Sequence, residues 1–257
     1  MRAVEDNRID AIVHSGALHK PNIESRANSD FIATNVQGTL NLLDAAVASG
    51  VERFVFTSTT SLMISQAIRD GFKGGARKAA WLTETMSPEP RNIYGVTKLS
   101  AEHLCRLYHL QHGLPVIVLR TARFFPEADD MAHAIEQSDA NTKANELLFR
   151  RLTVEDAAEA HVAALEKAPQ LGFDTFIICA PTPFQPDDCD ALIRNAPSVV
   201  TRYFPDFWTL YARKGWTMFS SIDRVYDASR ARDRLGFACK TSFANVLAAL
   251  RAENDPA

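Results

Sequence analysis

The chain has 257 residues, of which 46% are apolar and 23% are charged, a composition typical of a globular protein with one large core or two smaller ones. Its formal net charge of −3 gives no basic footprint for nucleic acid or for an anionic membrane surface, so neither is expected as a partner. No apolar run reaches the ~18 residues of a membrane-spanning helix, the four cysteines include no Cys-x-x-Cys pair, and the start is polar, so we expect a cytoplasmic protein.

The first half of the chain alternates strands with helices. Residues 11–17, AIVHSGA, form a short apolar run closed by Gly16, which predicts a strand buried on both faces. Apolar residues then recur at helical spacing from residue 29 or 30 to Ser49, and Gly50 supplies the C-terminal stop. Further along, the pattern predicts a strand at 53–59 (RFVFTST), a long connection at 65–90, a helix at 92–113 and a strand at 115–121.

The second half is more mixed. Thr153, followed three residues later by Asp156, predicts the capped start of an alanine-rich helix over 153–168. The remaining predictions are a strand at 173–180, a short helix at 187–196, an extended piece leading into a turn of helix at 223–237, and a terminal helix at 243–252. Proline-containing stretches at 181–186 and 197–205 are predicted as loops of a smaller C-terminal lobe.

Strands that are apolar throughout and alternate with helices predict an α/β fold, in which a parallel sheet is covered by helices on both sides. We expect the sheet to lie mainly within residues 1–180 and a smaller C-terminal lobe, partly interleaved with it, to lie mainly within 181–257.

A tyrosine and a lysine stand one helical turn apart. Tyr94 and Lys98 would share a helix face, where a nearby ammonium could lower a phenol pKa that starts near ~10, although Tyr-x-x-x-Lys also occurs by chance. The strand at 53–59 ends in a run of hydroxyls, residues 57–60, at the edge where ligands bind in parallel sheets. Those hydroxyls could instead only cap the next turn.

Together with these features, seven segments in order give the chain a family resemblance nearly from end to end. It resembles the extended short-chain dehydrogenase/reductase family, the NAD-dependent epimerase/dehydratases. The segments are AIVHSGA, NVQGTLNLLDAA, FVFTST, YGVTKLSAE, PVIVLRTARFFP, LTVEDAAEAHVAAL and RVYDASRARDRLGF.

The resemblance implies a Rossmann-type doubly wound sheet and redox chemistry at a carbinol or carbonyl carbon, with NAD or NADP as cofactor. It also implies that residues 1–180 bind the nucleotide cofactor, with part of the substrate lobe interleaved, and that residues 181–257 form mainly a small α/β substrate-binding lobe. Epimerase, dehydratase and simple reductase remain open, and a nucleotide sugar is the first expected substrate. The implied catalytic residues are Thr59, Tyr94, Lys98 and Asn35. The implied cofactor-binding residues are His14, Ser15, Gly16, Ser58, Tyr94, Lys98 and Ala122, and the substrate-side residues are Thr60, Arg123 and Arg150.

In this family scheme Tyr94 exchanges a proton with the substrate oxygen while the carbon exchanges hydride with nicotinamide. Lys98 is expected to lower the phenol pKa and to contact the nicotinamide ribose. Thr59 would hold the reacting oxygen, with Ser58 as its nearest rival. Asn35 would order the site, or alternatively only satisfy helix backbone.

Other polar residues have ordinary explanations. His109 and His112 lack a third ligand nearby, which favours solvated surface, and no metal site is expected. His14 could merely pack in the cofactor loop. Clustered basic residues could bind phosphate or could simply be solvated. They are Arg69, Lys73, Arg77, Lys78, Arg120, Arg123, Arg150 and Arg151.

The chain also departs from the family. It has no Gly-x-x-Gly-x-x-Gly turn, and its first element matches the family's fourth strand, so a unit of roughly 60 residues is expected to be missing, most simply by truncation. AIVHSG would then form a sheet edge that recruits other chains, with a homodimer as one outcome. A non-catalytic binding or regulatory module is the rival interpretation.

The substrate side of the sequence is unusual for the family at residues 62–64 (LMI) and 122–127 (ARFFPE). Thr59 and Tyr94 are 94 − 59 = 35 positions apart, which is long for a structureless connection. We expect the segment between them to fold over the substrate as a lid.

Overall fold

The computed structural model describes residues 6–70, 77–124 and 139–253, together with Val4. Its main sheet has four parallel strands in the order β1-β2-β4-β5. These are β1 (Ala11–His14), β2 (Arg53–Thr59), β4 (Val116–Thr121) and β5 (Phe173–Ile178). A separate parallel pair joins β3 (Ala80–Leu82) to β6 (Arg224–Tyr226). The predicted parallel α/β fold is confirmed.

Helices connect the strands. The first helical region, α1, runs through Asn28–Phe31, a π-helical segment Ile32–Gln37, and Gly38–Ala48. The others are α2 (Gln66–Asp70), α3 (Ile93–His112), α4 (Asp139–Glu146), α5 (Val154–Leu171), α6 (Cys189–Tyr203), α7 (Phe207–Lys214) and α8 (Phe243–Ala252). Short 3₁₀ or π turns lie at Lys20–Glu24, Thr60–Met63, Pro186–Asp188 and Ala231–Leu235.

Helices cover both faces of the main sheet. On one face, α1 and α3 pack on Phe54 and Phe56 of β2. On the other face, α5 presents small side chains, Ala157, Ala160 and Ala164, to the sheet core. Alanines at three- and four-residue spacing form one helical stripe, and their small size lets the helix approach the strands closely. All six residues of β4 are buried, as expected for the apolar run Val116–Leu119, and its two polar residues, Arg120 and Thr121, are buried with them.

Capping follows the predicted signals. The Thr153 hydroxyl accepts a hydrogen bond from the Asp156 amide at 3.1 Å, which starts α5 where the sequence predicted. Gly113 has φ of +69° and ends α3, and Gly50 has φ of +67° just after α1. These left-handed conformations favour glycine and explain both predicted helix ends.

Two segments that the sequence predicted as connections contain regular structure. The segment 65–90 contains α2 and β3, so it is not structureless. The predicted loop at 197–205 is wrong over residues 197–203, because α6 continues across Pro197. Asn195 leaves helical geometry and its side chain accepts from the Ser198 amide at 3.2 Å, so a second helical turn begins there. A proline is tolerated in the first turn of a helix because the amide there has no intrahelical partner.

A second apolar core lies beside the main sheet. Its large buried side chains include Phe184, Phe207, Tyr211 and Phe243, and residues 147–149 pack into the same core. The domain boundary at 180/181 stays a prediction. In the part of the chain that the structure describes, no helix is long and apolar enough to cross a membrane.

Candidate active site

A cavity of about 380 Å³ opens at the carboxyl end of the main sheet. Parallel strands end at a common edge, and Thr59 at the end of β2 lies in register with Thr121 at the end of β4. The cavity therefore collects side chains from distant parts of the sequence. Among the predicted site residues, Ser15, Ser58, Thr59, Thr60, Tyr94, Lys98, Ala122, Arg123 and Arg150 line it.

Tyr94 and Thr59 form the hydroxyl pair of the site. They are joined by a side-chain hydrogen bond, and burial raises the pKa of Tyr94 above its usual 10.0 while the bond from Thr59 partly opposes that rise. The Tyr94 phenol is therefore neutral near pH 7 and can donate a proton to a ligand oxygen. Thr59 also accepts a hydrogen bond from the Ser61 amide at 3.1 Å, which fixes its rotamer.

The start of α3 is held tightly around Tyr94. The Asn92 side chain caps the helix by accepting from the Gly95 amide at 2.9 Å. A Cβ at Gly95 would lie 2.8 Å from the Cβ of Pro90, so only glycine fits there. Gly95, next to Tyr94, thus allows the loop that contains Pro90 to pack closely against the helix.

Lys98 is buried and turned toward β2. Its Nζ donates to the Thr57 carbonyl at 2.5 Å and lies 4.0 Å from the centroid of the Phe56 ring. Burial lowers the Lys98 pKa to about 8, while Cys105 and Glu102 act in the opposite direction. The expected lowering of the Tyr94 pKa by Lys98 is not found: the influences on that phenol are burial and Thr59, because the ammonium is held by the β2 carbonyl.

Asn35 is not among the residues that line the cavity, but its side chain connects two segments next to the site. Its amide group donates to the Leu18 carbonyl at 2.9 Å and to the Thr97 hydroxyl at 3.0 Å, and its oxygen accepts from the Leu18 amide at 2.8 Å. Thr97 in turn donates to the Tyr94 carbonyl at 3.0 Å. Asn35, on the π-helical segment of α1, therefore joins the loop after β1 to α3, and its side chain satisfies loop backbone instead of helix backbone.

Three predicted residues are placed differently from the hydroxyl pair. His14 lies in the core against Phe54 and Phe56, bonded to the Thr39 hydroxyl at 2.9 Å, and burial lowers its pKa to about 4. Neither it nor the exposed Gly16 is among the residues that line the cavity. The Ser58 hydroxyl donates to Glu102 at 2.5 Å, so Thr59 is the hydroxyl beside Tyr94.

The cavity lining is rich in basic side chains. Among the described residues that line it there are seven basic side chains and no acidic one. Such a lining favours anionic ligands, because low-dielectric walls strengthen the attraction. The basic residues are Lys20, Arg69, Arg91, Lys98, Arg123, Arg150 and Arg224.

The other basic candidates have different positions. Arg120 forms a buried ion pair with Glu102 at 2.8 Å, and Arg151 pairs with Glu146 at 2.9 Å. Arg77 and Lys78 are exposed and do not line the cavity, and Lys73 lies outside the described residues, as does part of the segment expected to act as a lid. That lid stays a prediction.

Sequence reasoning missed Arg224 and Tyr226 on β6, which reach the cavity from the far end of the chain. An arginine opening an otherwise apolar strand was the available signal. It also missed His161, whose Nε2 lies 2.6 Å from the Thr57 hydroxyl.

The structure also shows the surroundings of two histidines of α3, His109 and His112. His109 is half-buried, with its Nδ1 2.9 Å from the Leu114 carbonyl, whereas His112 is exposed. Within the described ranges, no group of three potential metal ligands occurs.

Comparison with known proteins finds a family whose sequence profile matches most of the chain. The sequence profile of the NAD dependent epimerase/dehydratase family matches residues 1–179. UDP-glucose 4-epimerase from Azospirillum brasilense is 27% identical over 191 residues, which cover 64% of this chain and 51% of that protein. Across the curated relatives considered, the chain spans from 27% to 51% of the relative's length.

Two solved structures share the fold. UDP-glucuronic acid 4-epimerase from Bacillus cereus, in complex with UDP-glucuronic acid and NAD, superposes with a TM-score of 0.61 at 20% identity, over 98% of this chain and 76% of that one. RMD from Pseudomonas aeruginosa, complexed with NADPH, gives a TM-score of 0.59 at 20% identity, over 95% of this chain and 81% of that one. At such identities the similarity concerns the fold alone.

Proposed function

The chain belongs to the NAD-dependent epimerase/dehydratase family, and we propose that it is an NAD(P)-dependent enzyme acting at a carbinol or carbonyl carbon of a sugar substrate. The observation that carries this proposal is the hydrogen-bonded pair Thr59 and Tyr94, with Lys98 one turn along the same helix, at the carboxyl edge of a parallel sheet.

The residues of this site fit the nicotinamide half of the cofactor. Ser15, Tyr94 and Lys98 share one cavity, and its basic lining suits a ligand that carries a diphosphate. When bound, NAD(P) supplies the hydride acceptor or donor. NAD and NADP remain alternatives for this chain.

The protein's own residues would handle the proton. Thr59 would hold the substrate oxygen by a hydrogen bond, and Tyr94 would deliver a proton to that oxygen or accept one from it. Because the phenol is neutral in this structure, proton donation to a carbonyl oxygen is the direction that needs no prior ionisation. Lys98, which lines the same cavity, would contact the bound cofactor.

A nucleotide sugar is the first substrate class that we propose. The support is twofold: the names of related proteins refer to UDP-glucose and UDP-glucuronic acid, and the cavity of this chain is lined by cations. Epimerase, dehydratase and reductase chemistry each include a coupled hydride and proton transfer at a carbon that bears oxygen, so the proposal covers the three.

Replacement of Tyr94 tests the proposal. Tyr94→Phe keeps the ring and removes the ionisable oxygen, so turnover of a sugar identified from a panel with NAD or NADP should fall by at least ~100-fold. Tyr203→Phe is the matched control, because the Tyr203 hydroxyl bonds Asp188 outside the cavity. Near-normal turnover by Tyr94→Phe would refute the mechanism. NAD(P) binding without turnover of any sugar would favour the non-catalytic module.

A further inference from the structure

Tyr226 brings a further phenol to the cavity that holds Tyr94. It ends β6, is 4% exposed and lines the cavity together with Arg224. Successive residues of a strand point to opposite faces, so Arg224 and Tyr226 share one face and Val225 points to the other. The packing agrees, because Val225 belongs to the second apolar core whereas Tyr226 belongs to the core of the main sheet. The two polar side chains of β6 therefore face the same cavity.

The backbone of β6 holds Tyr226 in place. β6 pairs with β3, and Tyr226 lies in register with Leu82. The Tyr226 amide donates to the Phe149 carbonyl at 3.1 Å, and the amide of Asp227 donates to the Leu82 carbonyl at 2.9 Å. The ring lies in the same apolar core as Leu62, which is in the turn after β2. A ligand can therefore bind the phenol without the entropy cost of ordering a mobile side chain.

The hydrogen bond between Tyr226 and Arg224 has only one possible direction. A guanidinium carries donors and no acceptor, so the phenol oxygen accepts from Arg224 and the phenol proton stays available. Burial disfavours the charge of Arg224, but Tyr226 and Asp223 outweigh it and hold the pKa of Arg224 above its usual range, so the donor stays charged. Within the described part of the chain, the Tyr226 hydroxyl donates to no other group.

The free proton of Tyr226 suits an uncharged oxygen of the ligand. A hydroxyl that accepts from a cation becomes a better donor, because successive hydrogen bonds polarise one another. The basic side chains of the lining suit phosphates, whereas a phenol is an uncharged donor that suits a sugar hydroxyl. Thr59 and Tyr94 are bonded to each other and are assigned to the reacting oxygen. Tyr226 comes from a different element and is free to address a second oxygen.

We propose that the Tyr226 hydroxyl donates a hydrogen bond to a hydroxyl oxygen of the sugar, distinct from the oxygen held by Thr59 and Tyr94. This inference rests on the proposed function, for which it names a residue that selects among nucleotide sugars. Tyr226 thereby discriminates between sugars that carry this hydroxyl group and sugars that lack it.

Titration calorimetry with UDP-glucose and with UDP, on the 257-residue chain in the presence of NAD, tests the inference. Tyr226→Phe keeps the ring and removes the hydroxyl, so the affinity for UDP-glucose should fall by about 3- to 10-fold, the effect of one hydrogen bond between uncharged groups. The affinity for UDP should not change. Altered packing alone would weaken both probes, so the ratio of the two affinities decides.

Tyr211→Phe is the matched control. Tyr211 is also buried, but its hydroxyl donates to Asn145 at 2.8 Å and it is not among the residues that line the cavity. This variant should lower the free energy of unfolding and leave the affinity for both probes unchanged. Circular dichroism identifies a variant that fails to fold, and Tyr226→Met, which also lacks the donor, then serves in place of Tyr226→Phe.

Analogues of UDP-glucose that each lack one hydroxyl group identify the accepting oxygen. One analogue should bind the wild type as weakly as UDP-glucose binds Tyr226→Phe. Tyr226→Phe should bind that analogue no more weakly than it binds UDP-glucose, because the two changes remove the same hydrogen bond. If the losses add for every analogue, the proposed contact does not exist.

Three further results would overturn the inference. They are an unchanged affinity of Tyr226→Phe for UDP-glucose, an equal loss for UDP and UDP-glucose, and a wild type that binds UDP-glucose no more tightly than UDP. Tyr94-dependent turnover of a sugar with the same KM in wild type and Tyr226→Phe would reject the inference and leave the proposed function standing. Loss of NAD(P) binding or of Tyr94 dependence would instead reject the proposed function itself.

Discussion

Lys98 shows how a residue predicted from spacing acquires a different environment in the folded chain. Its four-residue distance from Tyr94 placed both on one helix face, but the ammonium donates to the Thr57 carbonyl and lies over Phe56. Its contribution to a bound cofactor therefore depends on whether the buried nitrogen keeps its proton.

Cofactor affinity should depend on pH through Lys98. Burial lowers the Lys98 pKa to about 8, below its usual 10.5, so the ammonium is present below about pH 8 and is lost as the pH rises further. NAD(P) affinity of the wild type should weaken above about pH 8, whereas Lys98→Met should bind weakly and show no such step. Titration calorimetry between pH 6.5 and 9.5 measures the NAD(P) affinity of both proteins. If the loss of affinity above about pH 8 persists in Lys98→Met, another group is responsible for it.

Asn35 is expected to be a positioning residue. Asn35→Ala leaves the backbone polar atoms of half-buried Leu18 and the hydroxyl of buried Thr97 without these partners, which should lower the free energy of unfolding by about 1–3 kcal/mol. Hydrogen exchange of residues 15–19 should also accelerate. Asn41→Ala is the control, since the exposed Asn41 accepts a hydrogen bond from Gln37 on the surface. Equal losses in the two variants, measured by urea unfolding, would contradict the assigned role.

At the scale of elements, two helix segments determine the site. The π-helical part of α1 carries Asn35, and the first turn of α3 carries Tyr94 against the loop that ends at Pro90. π-Helical segments are often found at functional sites, because one extra residue per turn shifts a side chain relative to its neighbours.

Gly95 should be intolerant of a side chain. In Gly95→Ala the new Cβ would meet Pro90 at 2.8 Å, so the first turn of α3 must shift, with a stability loss of about 1–3 kcal/mol and reduced turnover. Gly38→Ala in α1 is the matched control, because its Cβ would meet only Ala33 at an ordinary 3.9 Å. That control should gain roughly 0.5–1 kcal/mol. Thermal unfolding of both variants measures these changes in stability. A Gly95→Ala variant more stable than the wild type would show that the loop ending at Pro90 moves to accommodate the methyl group.

At the scale of the whole molecule, β1 is one of the two edge strands of the main sheet among the described strands, and the sequence predicted it at an edge. Its only described strand neighbour is β2, and Val13 on it is 44% exposed. Unpaired backbone groups on an apolar edge favour pairing with another copy.

The 257-residue chain is therefore expected to self-associate through β1. Val13→Lys should shift the sedimentation profile toward monomer, since a charge on an edge strand opposes strand pairing. Val162→Lys is the control, because Val162 is 55% exposed but lies on helix α5 and not on a strand. Wild type that is monomeric at micromolar concentration, or equal effects of the two variants, would contradict this expectation.

The sequence by itself determined the parallel α/β fold, the strands β2, β4 and β5, and the Tyr94 and Lys98 pair. Continuous apolar runs, helix caps and a four-residue spacing are local signals that depend on the nearest neighbours in the chain. The same reasoning failed at Pro197, where the Asn195 side chain allows a helix to restart.

Only the tertiary structure decided which polar groups meet. Arg150 and Arg224 are 74 positions apart, yet both line the cavity that holds Thr59. A charged side chain has no sequence periodicity that reveals its partner. The sequence alone therefore could not distinguish solvated arginines from those in buried ion pairs, such as Arg150 with Glu146 and Arg224 with Asp223. That distinction depends on burial and on distances between elements, which are set when β6 pairs with β3 and brings the end of the chain back to the main sheet.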